Sequence, residues 1–141
     1  MTALARQTHP ITLTLTESQQ KLLPVLEAVL DRSSYTLQHA ENAGQCLKFV
    51  QHSQLVLVDL FLDDIDGLSL IEEIRLQQPQ APIIAFLCNE NADVLDLSET
   101  EITLMATQSG ASAVFIAPYN LAELLTTIER LSVQPVAAHT A

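Results

Sequence analysis

Residues 55–67 read LVLVDLFLDDIDG. Four apolar residues lead into Asp59, a polar segment follows, and Gly67 precedes a helical pattern. A short apolar run bounded by turn residues predicts a strand that is buried on both faces. Asp59 then stands at the carboxyl end of a central strand, where open α/β sheets bind their ligands. An Asp in this position can also simply cap the following turn, so both roles stay open.

Strand and helix patterns alternate along the rest of the chain. Runs rich in β-branched or apolar residues predict four further strands, at 11–16, 35–40, 82–87 and 113–117. Apolar residues at helical spacing predict five helices, at 22–30, 45–51, 68–76, 102–109 and 121–131.

Three residues suggest where helices begin or end. Ser18 is the predicted N-cap of the first helix, and Pro24 is expected to delay its start. Gly110 is the predicted terminator of the fourth helix.

Residues 88–101 carry acids and no base, which predicts an acidic loop with a helical turn at 94–97.

This order predicts an α/β fold with a doubly wound, five-stranded parallel sheet in three layers. The flavodoxin-like strand order 2-1-3-4-5 would bring Glu17 and Ser18 beside Asp59, in one crevice above the sheet. The predicted domain spans 11–131, with a disordered lead-in at 1–10 and a flexible tail at 132–141.

Composition excludes several classes of partner. The formal net charge of -11 argues against nucleic acid and against an anionic membrane surface. No apolar stretch is long enough for a membrane span, and the first ten residues lack a signal-peptide core. Cys46 and Cys88 form no metal-binding spacing, as is typical of free thiols in a reducing cytoplasm. A cytoplasmic location is therefore expected.

The acids at this edge suggest a chemistry. An acid pair beside a strand-terminal Asp can bind Mg²⁺, which prefers carboxylates and water. The cation can screen the carboxylate from an incoming phosphoryl group, and a nucleophilic Asp forms an aspartyl phosphate. A flavin is disfavoured, because the segment after the first strand supplies an acid instead of a Ser/Thr-rich phosphate loop.

These residues resemble the receiver domain of two-component response regulators, of the chemotaxis-receiver type. The likeness spans about 11–131 and rests on Asp59 with Gly67 eight residues on, on the run from Pro82, and on the run 110–119. It implies that Asp59 accepts a phosphoryl group from a histidine kinase. It also implies Mg²⁺ ligands at Asp59, Glu17 and the backbone carbonyl of Phe61.

The chain departs from the receiver pattern at the groups that bind a phosphoryl group. The second acid after the first strand is Ser18, although a one-residue slip would make the pair Thr16 and Glu17. Leu87 stands where receivers have the switch hydroxyl, and Val114 stands where they have the switch aromatic. Ala117 stands in place of the lysine before proline. The expectation is an atypical receiver, not an enzyme, that accepts a phosphoryl group weakly and acts mainly through protein contacts.

Two other functions stay open. Residues 11–58 are similar to the pseudo-receiver of the cyanobacterial clock protein KaiA, which implies an interaction module without phosphorylation. Asp59 departs from that pattern, because such pseudo-receivers lack the acceptor Asp. A small-molecule-binding α/β protein or enzyme is the third hypothesis.

The resemblance also implies a binding face formed by the fourth helix, the fifth strand and the fifth helix. Its predicted residues are Val114, Tyr119, Leu121 and Leu125, beside the acidic loop. An apolar patch rimmed by negative charge fits a basic protein partner, either the kinase or a downstream signalling protein. A two-fold homodimer through the same face is the alternative, which like charges would oppose.

Overall fold

The computed structural model describes residues 11–17, 20–62, 66–87 and 96–132. Its strands are β1 (Ile11–Thr16), β2 (Tyr35–Ala40), β3 (Leu55–Asp59), β4 (Ile83–Leu87) and β5 (Ala113–Ile116). Its α-helices within these ranges are α1 (Leu23–Val29), α2 (Ala43–Phe49), α3 (Gly67–Gln77), α4 (Glu99–Ser109) and α5 (Leu121–Ser132). A short 3₁₀ turn, Val50–His52, leads from α2 towards β3.

The strands form one parallel sheet in the order β2-β1-β3-β4-β5, as predicted. All five residues of β3 are buried, because helices cover both faces of the sheet at its centre. Helices α2, α3 and α4 pack on one face, and α1 and α5 pack on the other. The predicted three-layer, doubly wound architecture is confirmed.

The alternation in β1 separates its two faces. Leu13 and Leu15 join the core under α1 and α5. Thr14 lies on the α2 side, where its hydroxyl is hydrogen-bonded to that of Ser53, which also donates to the carbonyl of Phe49. The same pleat directs Thr16 towards α2 and Glu17, the next residue, towards α1.

Helix starts differ most from the predictions. Helix α1 begins at Leu23 with Leu22 as N-cap and Pro24 in its first turn, so Pro24 does delay the start. The prediction of Ser18 as N-cap is wrong, and Ser18 itself lies outside the described residues. Asn42 caps α2, which therefore lies two residues before the predicted range 45–51.

Helix α4 begins three residues before its predicted start. The Ser98 hydroxyl accepts the Glu101 amide, and the Glu101 carboxylate accepts the Ser98 amide, which forms a capping box. Glu99 and Glu101 therefore belong to a helix and not to the acidic loop. Gly110 ends α4 at φ 127°, as predicted.

The predicted lead-in at 1–10 and residues 133–141 of the predicted tail lie outside the described residues, as do residues 88–95 of the acidic segment. Ser132, assigned to the tail, is the last residue of α5. Among the described residues no helix is long and apolar enough to span a membrane.

Candidate functional site at the carboxyl edge of the sheet

The carboxyl ends of the strands bring four predicted site residues to one edge. Thr16 pairs with Val58, so Glu17 and Asp59 follow neighbouring positions on adjacent strands. Asp59 pairs with Phe86, next to Leu87, and Leu87 pairs with Ile116, next to Ala117. The predicted meeting of Asp59 and Glu17 at this edge thus agrees with the register.

Asp59 is only 4% exposed. Its Oδ1 accepts the amide of Phe61 at 2.9 Å, which fixes the carboxylate against the turn after β3. The amide of Leu60 continues the sheet by donating to the carbonyl of Phe86 at 2.9 Å. A buried carboxylate is therefore held in a defined orientation at the end of the central strand.

Gly67 lets the loop after β3 return onto the end of that strand. A Cβ on Gly67 would lie 2.4 Å from the carbonyl oxygen of Asp59 and 2.5 Å from the Cα of Leu60. The Gly67 amide donates to the Leu60 carbonyl at 3.1 Å. Gly67 thus has no room for a side chain, and the reason is close backbone approach.

Helix α3 starts directly at this contact. Asp66 is its N-cap, and its Oδ1 accepts the Ser69 amide at 2.8 Å. Asp66 is exposed, and its side chain stabilises the start of α3. Asp63 and Asp64 lie outside the described residues.

Glu17 is fully buried, and its carboxylate points to the start of α1. Its Oε1 and Oε2 accept the Leu22 amide at 3.1 and 3.0 Å, and Oε1 also accepts the Leu23 amide at 2.9 Å. Sequence reasoning identified Glu17 but missed these partners. Its distance from α1 in the sequence matches no local capping motif, since a capping side chain normally sits in the N-cap position itself.

Thr16 faces the other side of the sheet from Glu17. Ser18 lies outside the described residues, so the choice between the pairs Glu17–Ser18 and Thr16–Glu17 stays a prediction. Its hydroxyl lies beside the Cys46 thiol but makes no full hydrogen bond within the described residues. Burial raises the pKa of the Cys46 thiol to about 11, and the Thr16 hydroxyl opposes that shift. Cys46 is a buried free thiol.

The positions whose side chains bind the phosphoryl group in receivers carry aliphatic residues in this chain. Leu87 is fully buried and packs with Val114 on the side of α2, α3 and α4. The amide of Ala117 donates to the carbonyl of Leu87 at 2.9 Å, and the Ala117–Pro118 peptide is cis. Neither Leu87 nor Ala117 offers a hydroxyl or an ammonium at this edge.

Phe115 does not replace the missing switch aromatic at Val114. It packs on the opposite side of the sheet, in edge-to-face contact with Tyr119 at a centroid distance of 6.1 Å. Successive residues of a strand point to opposite faces, so an aromatic one residue along is on the wrong side.

The residues at this edge suit Mg²⁺ only in part. Carboxylate and carbonyl oxygens are the ligands that Mg²⁺ prefers. Both oxygens of Glu17, however, are engaged by amides of α1. Within the described ranges, no three Asp, Glu, His or Cys side chains are grouped to hold a metal ion.

The four predicted interface residues do not form one exposed patch. Tyr119, Leu121 and Leu125 are half-buried against the α1–α5 core, and Val114 is half-buried on the other side. The more exposed apolar side chains nearby belong to α4 and the residue before its cap: Leu97, Leu104 and Met105.

Comparison with known proteins identifies the family. Residues 13–129 match the family model of the response regulator receiver domain. The chain is 31% identical over 121 residues to the transcriptional regulatory protein KdpE of Staphylococcus aureus, covering 82% of this chain and 48% of that protein. It is also 31% identical over 108 residues to the DNA-binding transcriptional regulator NtrC of Proteus hauseri, covering 75% and 21%. The chain thus spans about half or less of the length of these relatives.

Solved receiver domains share the fold. A CheY-like response regulator receiver domain protein of Methanospirillum hungatei superposes with a TM-score of 0.72 at 20% identity, covering 89% of this chain and 96% of that one. A receiver domain of a Francisella response regulator gives a TM-score of 0.73 at 17% identity, covering 89% and 98%. With the family match over most of its length, the chain belongs to the receiver domains of response regulators, the signalling proteins of two-component systems.

Proposed function

We propose that this receiver accepts a phosphoryl group on Asp59 slowly and acts mainly through protein–protein contacts in the cytoplasm. The observation that carries the proposal is the buried Asp59 at the end of β3, held by the Phe61 amide at 2.9 Å. A carboxylate held in one orientation is a suitable nucleophile for phosphoryl transfer, which depends mostly on positioning and charge stabilisation. A histidine kinase would be the donor.

Slow transfer follows from what surrounds Asp59. The receiver pattern implies an ammonium at position 117 and a hydroxyl at position 87, where this chain has Ala117 and Leu87. The ammonium would otherwise offset the charge that develops on the phosphoryl oxygens. The hydroxyl would otherwise bind the phosphoryl group in one state of the domain and not in the other. Without a difference in binding between the two states, a phosphoryl group can shift the equilibrium between them only slightly.

Weak Mg²⁺ binding belongs to the same proposal. The ligands would be Asp59, Glu17 and the backbone carbonyl of Phe61, and the cation would offset negative charge during transfer. Glu17 is engaged at α1, and Ser18 adds no charge. We expect a dissociation constant above roughly 100 μM in titration calorimetry, because Mg²⁺ loses its water reluctantly and few carboxylates are available here.

Acetyl phosphate with Mg²⁺, followed by intact-mass measurement, tests the acceptor. We expect a slow mass gain of one phosphoryl group that disappears in Asp59→Asn. Asp66→Asn is the matched control, because Asp66 lies in the same loop but is exposed and serves as a helix cap. A gain that persists in Asp59→Asn would contradict the assignment.

A pseudo-receiver that signals by binding alone, such as a KaiA-like clock input domain, is the second candidate. The aliphatic residues Leu87 and Ala117 favour it. It predicts no mass gain with acetyl phosphate in any variant, while partner binding is retained. The same measurement therefore separates the two functions.

The proposed binding face is that of α4, β5 and α5, including the half-buried Val114, Tyr119, Leu121 and Leu125. Exposed Leu104 and Met105 on α4 would be its centre. Asp96, Glu99 and Glu101 are exposed at the start of α4, and that helix contains no basic residue. An apolar surface rimmed by acids fits a basic partner whose association weakens with salt.

Pull-downs from the native host at several salt concentrations test this face. Leu104→Ser should release the partner, whereas Leu76→Ser, on α3 and 78% exposed, should not. Replacing both Asp96 and Glu99 with Lys should remove the salt sensitivity. Equal recovery by all variants would contradict the proposed face, and a dimer in sedimentation that Leu104→Ser disrupts would identify a second copy as the partner.

A further inference from the structure

Helix α1 lacks the usual means of satisfying its first amides. Its N-cap, Leu22, has no side-chain acceptor, and Pro24 in the first turn has no amide hydrogen. The Leu22 and Leu23 amides donate instead to the Glu17 carboxylate. Because the first amides of a helix have no partner within the helix, Glu17 serves as a cap from outside it.

Glu17 follows the last residue of β1, Thr16, which pairs with Val58, the residue before Asp59. The side chains of Glu17 and Asp59 are almost fully buried, at 0% and 4% exposure. By the pleat of β1 and β3, both point to the side of α1 and α5, as Leu15 and Leu57 do. A buried carboxylate needs hydrogen-bond donors or a cation, and α1 supplies the donors for Glu17.

We propose that Glu17 couples the Asp59 edge to α1. The carboxylate caps α1, and a cation bound between Asp59 and Glu17 would compete with the Leu22 and Leu23 amides for its oxygens. Mg²⁺ binding and capping of α1 therefore weaken each other. The role of Mg²⁺ here rests on the proposed function, whereas the capping role does not.

The coupling has a reciprocal form. If Mg²⁺ loosens the first turn of α1, anything that fixes that turn must lower the affinity for Mg²⁺ by the same factor. The outer surface of α1 carries Val25 and Val29, which are 37% and 41% exposed. A change at the Asp59 edge would thus reach a surface helix without using the aliphatic positions Leu87 and Ala117.

Two substitutions separate the two tasks of Glu17. Glu17→Asp keeps the charge, but it is one methylene shorter and cannot reach the amides of α1. Glu17→Gln keeps the length and one acceptor oxygen but loses the charge. We expect the Tm without metal to fall in the order wild type, Glu17→Gln, Glu17→Asp. We also expect Mg²⁺ affinity several-fold higher in Glu17→Asp and lower in Glu17→Gln.

Amide hydrogen exchange followed by NMR measures the coupling directly. Adding MgCl₂ to the wild type should speed exchange at Leu22 and Leu23, and Glu17→Asp should do so without metal. The internal controls are the Ser69 and Glu101 amides, which are capped by Asp66 and Ser98 and should not change.

Several results would overturn the inference. A higher Tm for Glu17→Gln than for wild type would mean that repulsion from Asp59 outweighs the cap. Mg²⁺ binding without faster exchange at Leu22 and Leu23 would remove the coupling. The coupling would also be excluded if Mg²⁺ bound neither the wild type nor Glu17→Asp. Phosphorylation of Asp59 is tested separately, by the mass measurement.

Discussion

Two carboxylates, Glu17 and Asp59, are buried on adjacent strands, and backbone amides stabilise both. Hydrogen bonds to a charged group contribute about 1.5–3 kcal/mol each, so the amides of Leu22 and Leu23 can offset much of the cost of burying Glu17. The Phe61 amide does the same for Asp59. The chemistry of this edge thus depends on backbone geometry as much as on side-chain identity.

Gly67→Ala should destabilise the domain. Its new Cβ would lie 2.4 Å from the Asp59 carbonyl oxygen, so the loop or the end of β3 must move. Overpacking of this kind lowers the free energy of unfolding by about 1–3 kcal/mol. We expect the upper end of this range because the new Cβ clashes with backbone atoms. Urea unfolding measures the loss.

Gly44→Ala is the matched control for Gly67→Ala. Gly44 lies inside α2, and the atom nearest to a new Cβ there is Asn42 Oδ1 at 3.4 Å. Alanine at a helical position should stabilise by roughly 0.5–1 kcal/mol relative to glycine. A Gly67→Ala protein as stable as Gly44→Ala would show that Gly67 is not needed for close approach.

Because the Cys46 thiol is buried, we expect the domain to lose stability at alkaline pH. Burial raises the pKa of its thiol from the ordinary 9.0 to about 11, so the folded chain keeps a proton that the unfolded chain releases between these values. The free energy of unfolding therefore falls as the pH rises from about 9 through about 11, by about 2–3 kcal/mol in total.

Urea unfolding of wild type and Cys46→Ala across this pH range isolates the thiol, because all other groups are shared. The wild type should lose more stability than Cys46→Ala between pH 9 and pH 11. Parallel curves for the two proteins would contradict a buried, neutral thiol at position 46.

Residue-level prediction from the sequence succeeded where a residue follows a strand directly. Asp59 and Gly67 stand out because a continuous apolar run precedes them, and the register agrees with Glu17 beside Asp59. The hydrogen bonds from Glu17 to α1 were not predictable in this way. They depend on the path of the chain from β1 to α1, which hydrophobic periodicity in the sequence does not indicate.

Among the elements, strands were easier to predict than helix starts. The ranges 11–16 and 35–40 match β1 and β2, because β-branched and apolar residues end abruptly at polar turns. Helix α4 was predicted too short because its first turn is polar and shows no apolar spacing. The capping box of Ser98 and Glu101 was the signal that could have found its true start.

Ser98→Ala should weaken α4 by about 1 kcal/mol, since the Glu101 amide loses its acceptor. Hydrogen bonds from Ser98 lower the pKa of the Glu101 carboxyl, first from the Ser98 backbone and then from its side chain. The pKa of Glu101 should therefore rise towards its ordinary value in Ser98→Ala, as an NMR titration would record.

Thr103→Ala serves as the control for Ser98→Ala, because Thr103 is exposed in the middle of the same helix. Alanine has the higher helix propensity, so this change should be neutral or slightly stabilising. If both variants have the stability of the wild type and the pKa of Glu101 stays unchanged, the capping box makes no contribution to α4.

In the whole molecule, the sheet order was predictable because the elements alternate and crossovers between parallel strands are right-handed. The same order brings the ends of β1, β3, β4 and β5 to one edge. The chemical identity of that edge is uneven: acids stand at β1 and β3, and aliphatic residues at β4 and β5. We therefore expect a change at Asp59 to reach α1 through Glu17, because Leu87 and Ala117 offer no polar side chain on the side of β5.

We expect a group bound at Asp59 to change its own edge of the sheet and to leave β5 unchanged. The most direct test is to add beryllofluoride, a stand-in for the phosphoryl group, with Mg²⁺ and to record amide chemical shifts by NMR. We predict shifts confined to the surroundings of Asp59 and to the start of α1 at Leu22 and Leu23. Shifts that extend through β5 to Val114 and Tyr119 would show that β5 does respond to a group bound at Asp59.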